Sequence, residues 1–221
     1  MSKISNFHKQ RQLGNRPLSL SLFSEKLKAA HILDLRPARA FQSGFIPGSV
    51  SLPIDSNLEL YLEKLKKKLN PPFLLIAEPG DENRALDILT RFGLNGVLGY
   101  LDGGFTAWQH AHRKFEMIPT LGVEDLEMVK DEGDFHLLES TSGRPLPLHL
   151  PGAKHFSIDQ YLSQVYELRL EDKFIIYSER GQLSSVLGSL LLRKGYKHVF
   201  CLKESLEDLI KSHSTFLSVS A

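Results

Sequence analysis

The layout of this chain repeats itself after about one hundred residues, and that constrains the fold more than any other feature. Pro47-Gly48 returns as Pro151-Gly152, 104 residues on, Gly80 returns as Gly181 after 101, and Gly93 returns as Gly195 after 102. Near-constant spacing of turn residues over the whole length argues for duplication, and two copies suggest two packed domains rather than a solenoid. A length of 221 residues allows two domains of ordinary size. The boundary is expected near Pro119, giving an N-terminal arm over 1–16, a first domain over 17–118 and a second over 119–221.

Each copy alternates short apolar runs with amphipathic ones. Ser19 is a suitable N-cap for a helix over roughly 20–29, with Phe23 and Leu27 on one face. Ile32–Leu35 reads as a strand, and a compact stretch with Ala38, Ala40 and Phe41 stops at Gly44. The Pro47-Gly48 turn leads into a second strand, Val50–Pro53. Residues 57–69 fit a helix with Leu58, Leu62, Leu65 and Leu69 inward. Phe73–Ala77 is wholly apolar, as a buried parallel strand is. A helix over 81–92 ends at Gly93, Val97–Leu101 is a strand, and Gly103-Gly104 opens a helix through Trp108. The second copy begins with a helix over 123–131 and continues with strands at Phe135–Glu139, Phe174–Tyr177 and Val199–Leu202. Strands alternating in this way with helices predict an α/β fold, each copy a short parallel sheet with helices on both faces.

The matching marks are Asp34 and Arg36 after a strand, Phe41, Gly44, Ile46-Pro47-Gly48, Pro53, and Leu101-Asp102-Gly103-Gly104 followed by Trp108. In that order and at that spacing they resemble the rhodanese family. The second copy keeps His149-Leu150-Pro151-Gly152-Ala153, Gly181, Ser184 and Gly195. It has Glu139 for the aspartate, Thr141 for the arginine and Ser205-Leu206 for the paired glycines. The resemblance covers about residues 17–210. More narrowly, Ala77-Glu78-Pro79-Gly80 and the run from Asn95 to Trp108 are similar to the tandem rhodanese region at the C-terminal end of metallo-β-lactamase-fold proteins of the persulfide dioxygenase type. In that group the first unit commonly lacks its cysteine. The HxHxDH metal motif of the attached domain is not in this sequence, so that domain is expected on another polypeptide, or the chain is a separated module.

The resemblance implies sulfur transfer through a cysteine persulfide. The thiolate sits at the end of a central strand, in a turn whose N–H groups surround it at a helix N-terminus. Neither loop here has that cysteine. The first reads Ala77, Glu78, Pro79, Gly80, Asp81, Glu82, with Ala77 in the cysteine place and Glu82 where an arginine often adds positive charge. A methyl group cannot carry sulfur, and the carboxylates suit the helix dipole but repel an anion. The loop therefore reads as a self-satisfied cap. The second reads Ser178, Glu179, Arg180, Gly181, Gln182, Leu183. A serine forms no persulfide, and no base is visible beside it. Ser178, Arg180, Gly181 and Ser184 are a candidate anion site, with an empty loop the preferred reading.

No residue is assigned a catalytic role, and no metal or cofactor is expected. Cys201, the one cysteine, excludes an internal disulfide framework and falls in a strand, where an inert core thiol is the expectation. His110 and His112 lie two apart on a predicted helix, do not share a face and have no further ligands. His149 is expected to make a structural hydrogen bond, and His155 has no visible partner. Lys64, Lys66, Lys67 and Lys68 lie opposite the leucine stripe, which reads as a solvated face. Asp34 with Arg36 is read as fixing loop geometry rather than as a catalytic pair. A net charge of +1 gives no reason to expect nucleic acid or an anionic membrane. With no long apolar run, the cytoplasm is the default.

The expectation is thus a catalytically silent tandem module serving sulfur or thiol-metabolite chemistry, with a metallo-β-lactamase-fold domain or a thiol carrier as partner. The alternatives are a sulfurtransferase using Cys201 or a partner's thiol, and a hydrolase or phosphatase acting through Ser178.

Overall fold

The computed structural model describes residues 14–54, 58–131, 135–141, 146–164, 168–212 and 214–219. Most of the arm, 1–13, lies outside them. The chain divides into two compact units, residues 1–116 and 117–221.

Unit 1 runs β1 (Pro17–Leu18), α1 (Leu20–Lys26), β2 (His31–Asp34), α2 (Ala38–Ser43), β3 (Val50–Ser51), α3 (Leu58–Leu65), β4 (Phe73–Ile76), α4 (Glu82–Arg91), β5 (Val97–Leu101) and α5 (Gly104–His110). Unit 2 runs β6 (Thr120–Leu121), a 3-10 turn at Val123–Asp125, α6 (Leu126–Asp131), β7 (Phe135–Ser140), β8 (Leu148–His149), β9 (Lys154–His155), α7 (Ile158–Gln164), β10 (Lys173–Ser178), α8 (Gln182–Lys194), β11 (His198–Leu202), α9 (Leu206–Ser212), a second 3-10 turn at Ser214–Phe216 and β12 (Ser218–Val219).

Both units build a five-stranded sheet in one order. Unit 1 has β1-β5-β4-β2-β3, and unit 2 has β6-β11-β10-β7-β9. Every neighbouring pair in the two sheets is parallel. The expected α/β fold with two such sheets is therefore observed. The two edge strands β1 and β6 escaped the sequence reading because two-residue strands carry no period.

Alternation along the strands sorts the core. In unit 1, Ile32, Leu74 and Ile76 pack with Phe23, Phe105 and Trp108. In unit 2, the matching Leu137, Ile175 and Tyr177 pack with Leu206 and Leu209. Leu33 and Leu75 alternate with the first set, so they face the opposite side of their sheet, and both are fully buried. The side chains of β4 are all buried, worth roughly 1.5–3 kcal/mol each.

The two sheets differ in one strand. In unit 1, Phe73 pairs with Val97 but Leu75 pairs with Tyr100, so β5 holds one extra residue as a bulge. Unit 2 has no such shift between β10 and β11. Gly99 lies in the bulge at φ +144, and a Cβ there would lie 2.5 Å from the Arg16 carbonyl oxygen. Arg16 is itself tied to the sheet, since the Tyr100 N–H donates to its carbonyl at 3.0 Å.

The duplication reaches past the last helix of each unit. Phe45 and Glu116 exchange backbone hydrogen bonds of 2.8 and 2.9 Å as an antiparallel bridge. In unit 2 the equivalent contact is β12 on β8, antiparallel, with Ser218 opposite His149. Each unit is thus strapped by a returning segment against the residue that precedes its Pro-Gly turn.

Candidate functional site

In each unit the central strand ends at the loop where a nucleophile would sit. Ala77 follows β4 and is 4% exposed. The turn after it is closed by the Asp81 N–H on the Glu78 carbonyl at 3.0 Å. Gly80 adopts φ +98, a left-handed conformation suited to glycine, with open space beside it. Its N–H donates to Glu82 Oε2 at 2.9 Å. A carboxylate of the chain itself thus takes an amide that would otherwise face a ligand. Two further carboxylates flank the loop. Burial, and then the charges of Glu82 and Asp102, push the Tyr100 phenol up from its ordinary value. Asp81 makes no side-chain cap. Its 3.9 Å approach to Arg84 is a loose, exposed contact. Nothing in this loop can carry sulfur, and its field disfavours an anion.

The neighbouring strand ends in a buried ion pair. Arg36 Nε donates to Asp34 Oδ1 at 3.0 Å, and Nη2 donates to Oδ2 at 2.7 Å. Nη2 also donates to the Gly44 carbonyl at 2.7 Å, and the guanidinium lies 4.1 Å over the Phe105 ring. Asp34 is 0% and Arg36 5% exposed. Burial pushes the Asp34 carboxyl up, against the pull of Arg36. Every partner in this set is a structural element of unit 1, which agrees with reading the pair as a geometry-fixing clamp. Trp108 is buried, edge-on to Phe23, and donates from Nε1 to the Lys114 carbonyl at 2.9 Å.

Unit 2 replaces the clamp with uncharged partners. Tyr177, from the central strand, donates its hydroxyl to Glu139 Oε2 at 3.0 Å and accepts from the Leu150 N–H at 3.1 Å. Glu139 Oε1 accepts from the Leu146 N–H at 2.9 Å. Burial first, and then the Glu139 charge and hydrogen bond, push the Tyr177 phenol up, with the Leu150 amide opposing. Thr141, in the arginine place, has its Oγ1 2.7 Å from His155 Nε2. His155 therefore does have a partner, one that sequence could not reveal because the two residues meet only through the pairing of β7 with β9.

Ser178 is 1% exposed and its hydroxyl accepts from the Ser184 N–H at 3.2 Å. Ser184 Oγ donates to the Gly181 carbonyl at 2.6 Å, and Gly181 stands at φ +83. Arg180 Nε meets Glu207 Oε1 at 2.7 Å, and the Glu207 N–H donates to the Glu179 carbonyl at 3.0 Å. The four residues of the candidate anion site do lie in one turn. The Ser184 amide is engaged by Ser178 and the Arg180 charge by Glu207. Glu207 was not singled out from sequence, since it comes from α9, 27 residues away. No base contacts Ser178 among the described residues. Gln182 and Leu183 open α8, where Leu183 is buried.

Cys201 is 0% exposed, with its Sγ 3.6 Å from the Ser184 carbonyl. Strand register sets it level with Tyr100 of unit 1. His110 ends α5, and His112 lies beyond it at φ 52, so the two do not share a helix. The His149 carbonyl accepts from Ser218 Oγ at 3.3 Å. Lys66, just past the end of α3, pairs with Glu63 of that helix. Among the described residues no group of three His, Cys, Asp or Glu side chains is placed to hold a metal ion, and no helix is long and apolar enough to cross a membrane.

Two parallel sheets of one strand order, each ending its central strand in a glycine turn that opens a helix, define the chain as two α/β units of one architecture. A model of the rhodanese-like domain matches residues 19–111. Thiosulfate sulfurtransferase GlpE of Pseudoalteromonas translucida is 33% identical over 82 residues, 37% of this chain and 74% of that protein. The chain belongs to the rhodanese-like family. An uncharacterized protein of Buchnera aphidicola is 26% identical over 105 residues, 48% of this chain and 63% of its own length. The crystal structure of thiosulfate sulfurtransferase from Pseudomonas aeruginosa superposes with a TM-score of 0.38 at 18% identity, over 94% of this chain and 44% of that one. The chain thus spans less than two thirds of both the Buchnera relative and the Pseudomonas structure.

Proposed function

We propose that this chain is a catalytically silent tandem rhodanese-like module that binds or positions a partner in sulfur or thiol-metabolite chemistry. Membership of a family whose relatives include a thiosulfate sulfurtransferase supports the link to sulfur. The observation that carries the silence is the state of the two loops. Ala77 and Ser178 stand where a thiolate is needed, the Gly80 amide is bound by Glu82, and the Ser184 amide is bound by the Ser178 hydroxyl. The remaining thiol, Cys201, is sealed in the core of unit 2, which weighs against a sulfurtransferase working through it. A hydrolase working through Ser178 would need a base in reach of its hydroxyl, and the contact found there is an amide donor. The partner fits either a metallo-β-lactamase-fold domain or a thiol carrier that supplies the reactive sulfur.

Intact mass after incubation with thiosulfate or polysulfide, without reductant, tests the silence. With one cysteine in the chain the result has a single interpretation. No gain of mass is expected. A gain of one sulfur that cyanide reverses would show a working persulfide and overturn the proposal.

A further inference from the structure

The two units share a fold but carry opposite charge. Residues 1–116 hold 16 Lys and Arg against 11 Asp and Glu, whereas residues 117–221 hold 11 against 15. A chain of net charge +1 thus joins a unit of net +5 to one of net −4.

In unit 1, strand pairing gathers bases at the end where the strands begin. The His31 N–H donates to the Pro72 carbonyl at 2.9 Å and the Phe73 N–H to the Gly96 carbonyl at 3.0 Å, which sets segments 26–31, 64–72 and 91–96 side by side. The first holds Lys26 and Lys28, the second four lysines at 64 and 66–68, and the third Arg91, with no Asp or Glu in any of them. Two acids flank them, Glu25 and Glu63, and Glu63 pairs with Lys66 at 2.7 Å. A base in the last turn of a helix complements its dipole, and Lys26, Lys64 and Arg91 fill that role. Lys28, Lys67 and Lys68 lie beyond the helix ends, are exposed, and have no ion pair among the described residues. The exposed large apolar side chains lie elsewhere, so this face offers charge rather than apolar contact.

In unit 2 the complementary charge lies at the end where the strands finish. The Val123 N–H donates to Glu204 Oε2 at 3.0 Å, and the Glu207 N–H donates to the Glu179 carbonyl at 3.0 Å, which joins the loops after β6, β10 and β11. Those loops bring together Glu124, Asp125, Glu179, Glu204, Glu207 and Asp208. Against these six acids stand Lys203 and Arg180, and Arg180 is held by Glu207. Glu124 and Glu179 are exposed.

A face rich in bases attracts an anionic occupant, and the chain's own charges select among the possible ones. Nucleic acid, an anionic membrane or a strongly acidic protein would be drawn to unit 1 and repelled by unit 2. A second copy of this chain is nearly neutral overall and presents its acids on a face of equal width, three adjacent strands in each case. We propose that the basic end of unit 1 docks the acidic loop face of unit 2 from a second copy. Made reciprocally, the contact occurs twice and closes a symmetric pair. Glu179 belongs to the loop that begins at Ser178, so the pair covers that turn. This covering rests on the reading of the loop as silent, since an open active site could not be spared.

The test is analytical ultracentrifugation of the whole chain. A dimer is expected at about 0.1 M salt and a monomer at about 1 M, where the screening length falls from roughly 10 Å to 3 Å. Two charge-reversed chains sharpen it, Lys67→Glu with Lys68→Glu, and Glu124→Lys with Glu179→Lys. All four positions are exposed, so both chains are expected to keep the wild-type circular dichroism. Each alone should pair roughly a hundredfold more weakly, because like charges then face each other. Mixed in equal amounts they should pair again, since each presents the charge that the other lost. A wild-type chain that stays monomeric, a pair that survives high salt, variants that pair like the wild type, or a mixture that does not recover would overturn the proposal. So would a monomer that binds duplex DNA or phosphatidylserine vesicles, which would give the basic end to another partner. A persulfide in the mass experiment would instead refute the silent reading, so the two failures are distinguishable.

Discussion

Removing Arg36 should damage unit 1 out of proportion to the size of the side chain. Its guanidinium makes a two-pronged pair with Asp34, bonds the Gly44 carbonyl and lies over Phe105, all nearly out of solvent. Arg36→Ala would leave the Asp34 carboxylate buried without its counter-charge, which typically costs about 3–5 kcal/mol. Asp34→Ala would strand the guanidinium at a similar cost. The double variant strands neither, so its loss should fall about 2 kcal/mol or more short of the sum of the single losses. The chain makes this measurable, because its one tryptophan, Trp108, is buried in unit 1. Urea unfolding followed by tryptophan fluorescence therefore reports unit 1, whatever unit 2 does. Single variants that lose less than about 1 kcal/mol, or losses that simply add, would refute the view of the pair as one buried clamp.

Three other outcomes are expected. Asp172 is buried, which by itself raises its carboxyl, but hydrogen bonds and charge from Arg169, with help from His136, outweigh burial and lower it. Its contribution is therefore full above the unfolded carboxylate value of about 3.9 and is lost as pH falls through the lower folded value; Asp172→Asn should flatten the acid limb of unit 2 stability, seen by circular dichroism, and an unchanged acid limb would argue against it. Gly99→Ala should cost roughly 2 kcal/mol or more in the same tryptophan-monitored urea experiment, since its Cβ meets the Arg16 carbonyl at 2.5 Å in a left-handed backbone; a neutral substitution would mean that the bulge can relax. Cys201 should react with Ellman's reagent only on the timescale of unfolding, and prompt labelling of the native chain would contradict its burial.

The parts of the fold legible in the sequence were those with a period or a punctuating residue. The all-apolar run Phe73–Ile76, the leucine stripe of α3 and the glycines closing α2, α4 and α8 each carry a local physical signal. Helix ends were less legible: α1 stops at Lys26 rather than near residue 29, and α3 at Leu65 rather than 69, because the last turns loosen without a break in the apolar pattern. Strands β1, β6, β8 and β12 have two residues each and owe their existence to partners far along the chain. The loop residues were placed by pattern alone, whereas the contacts that fill them were not. The Glu82 bond to Gly80 is local and follows from a carboxylate at a helix start. The Arg180–Glu207 and Thr141–His155 contacts exist only once strands and helices are assembled.

The paired straps bear on how the chain could be divided. The stretch that matches the family model ends at Ala111, ahead of the Phe45–Glu116 bridge. A fragment cut there would keep all five strands of the first sheet but expose the backbone of Phe45, a residue that is 1% exposed and stacks on Phe41 at 4.3 Å. The autonomous piece is therefore set by the returning segment, and extends at least to Glu116. By the same logic the second piece needs Ser218 and Val219, so a tag or fusion placed directly after residue 217 would compete with β12 for the edge of β8.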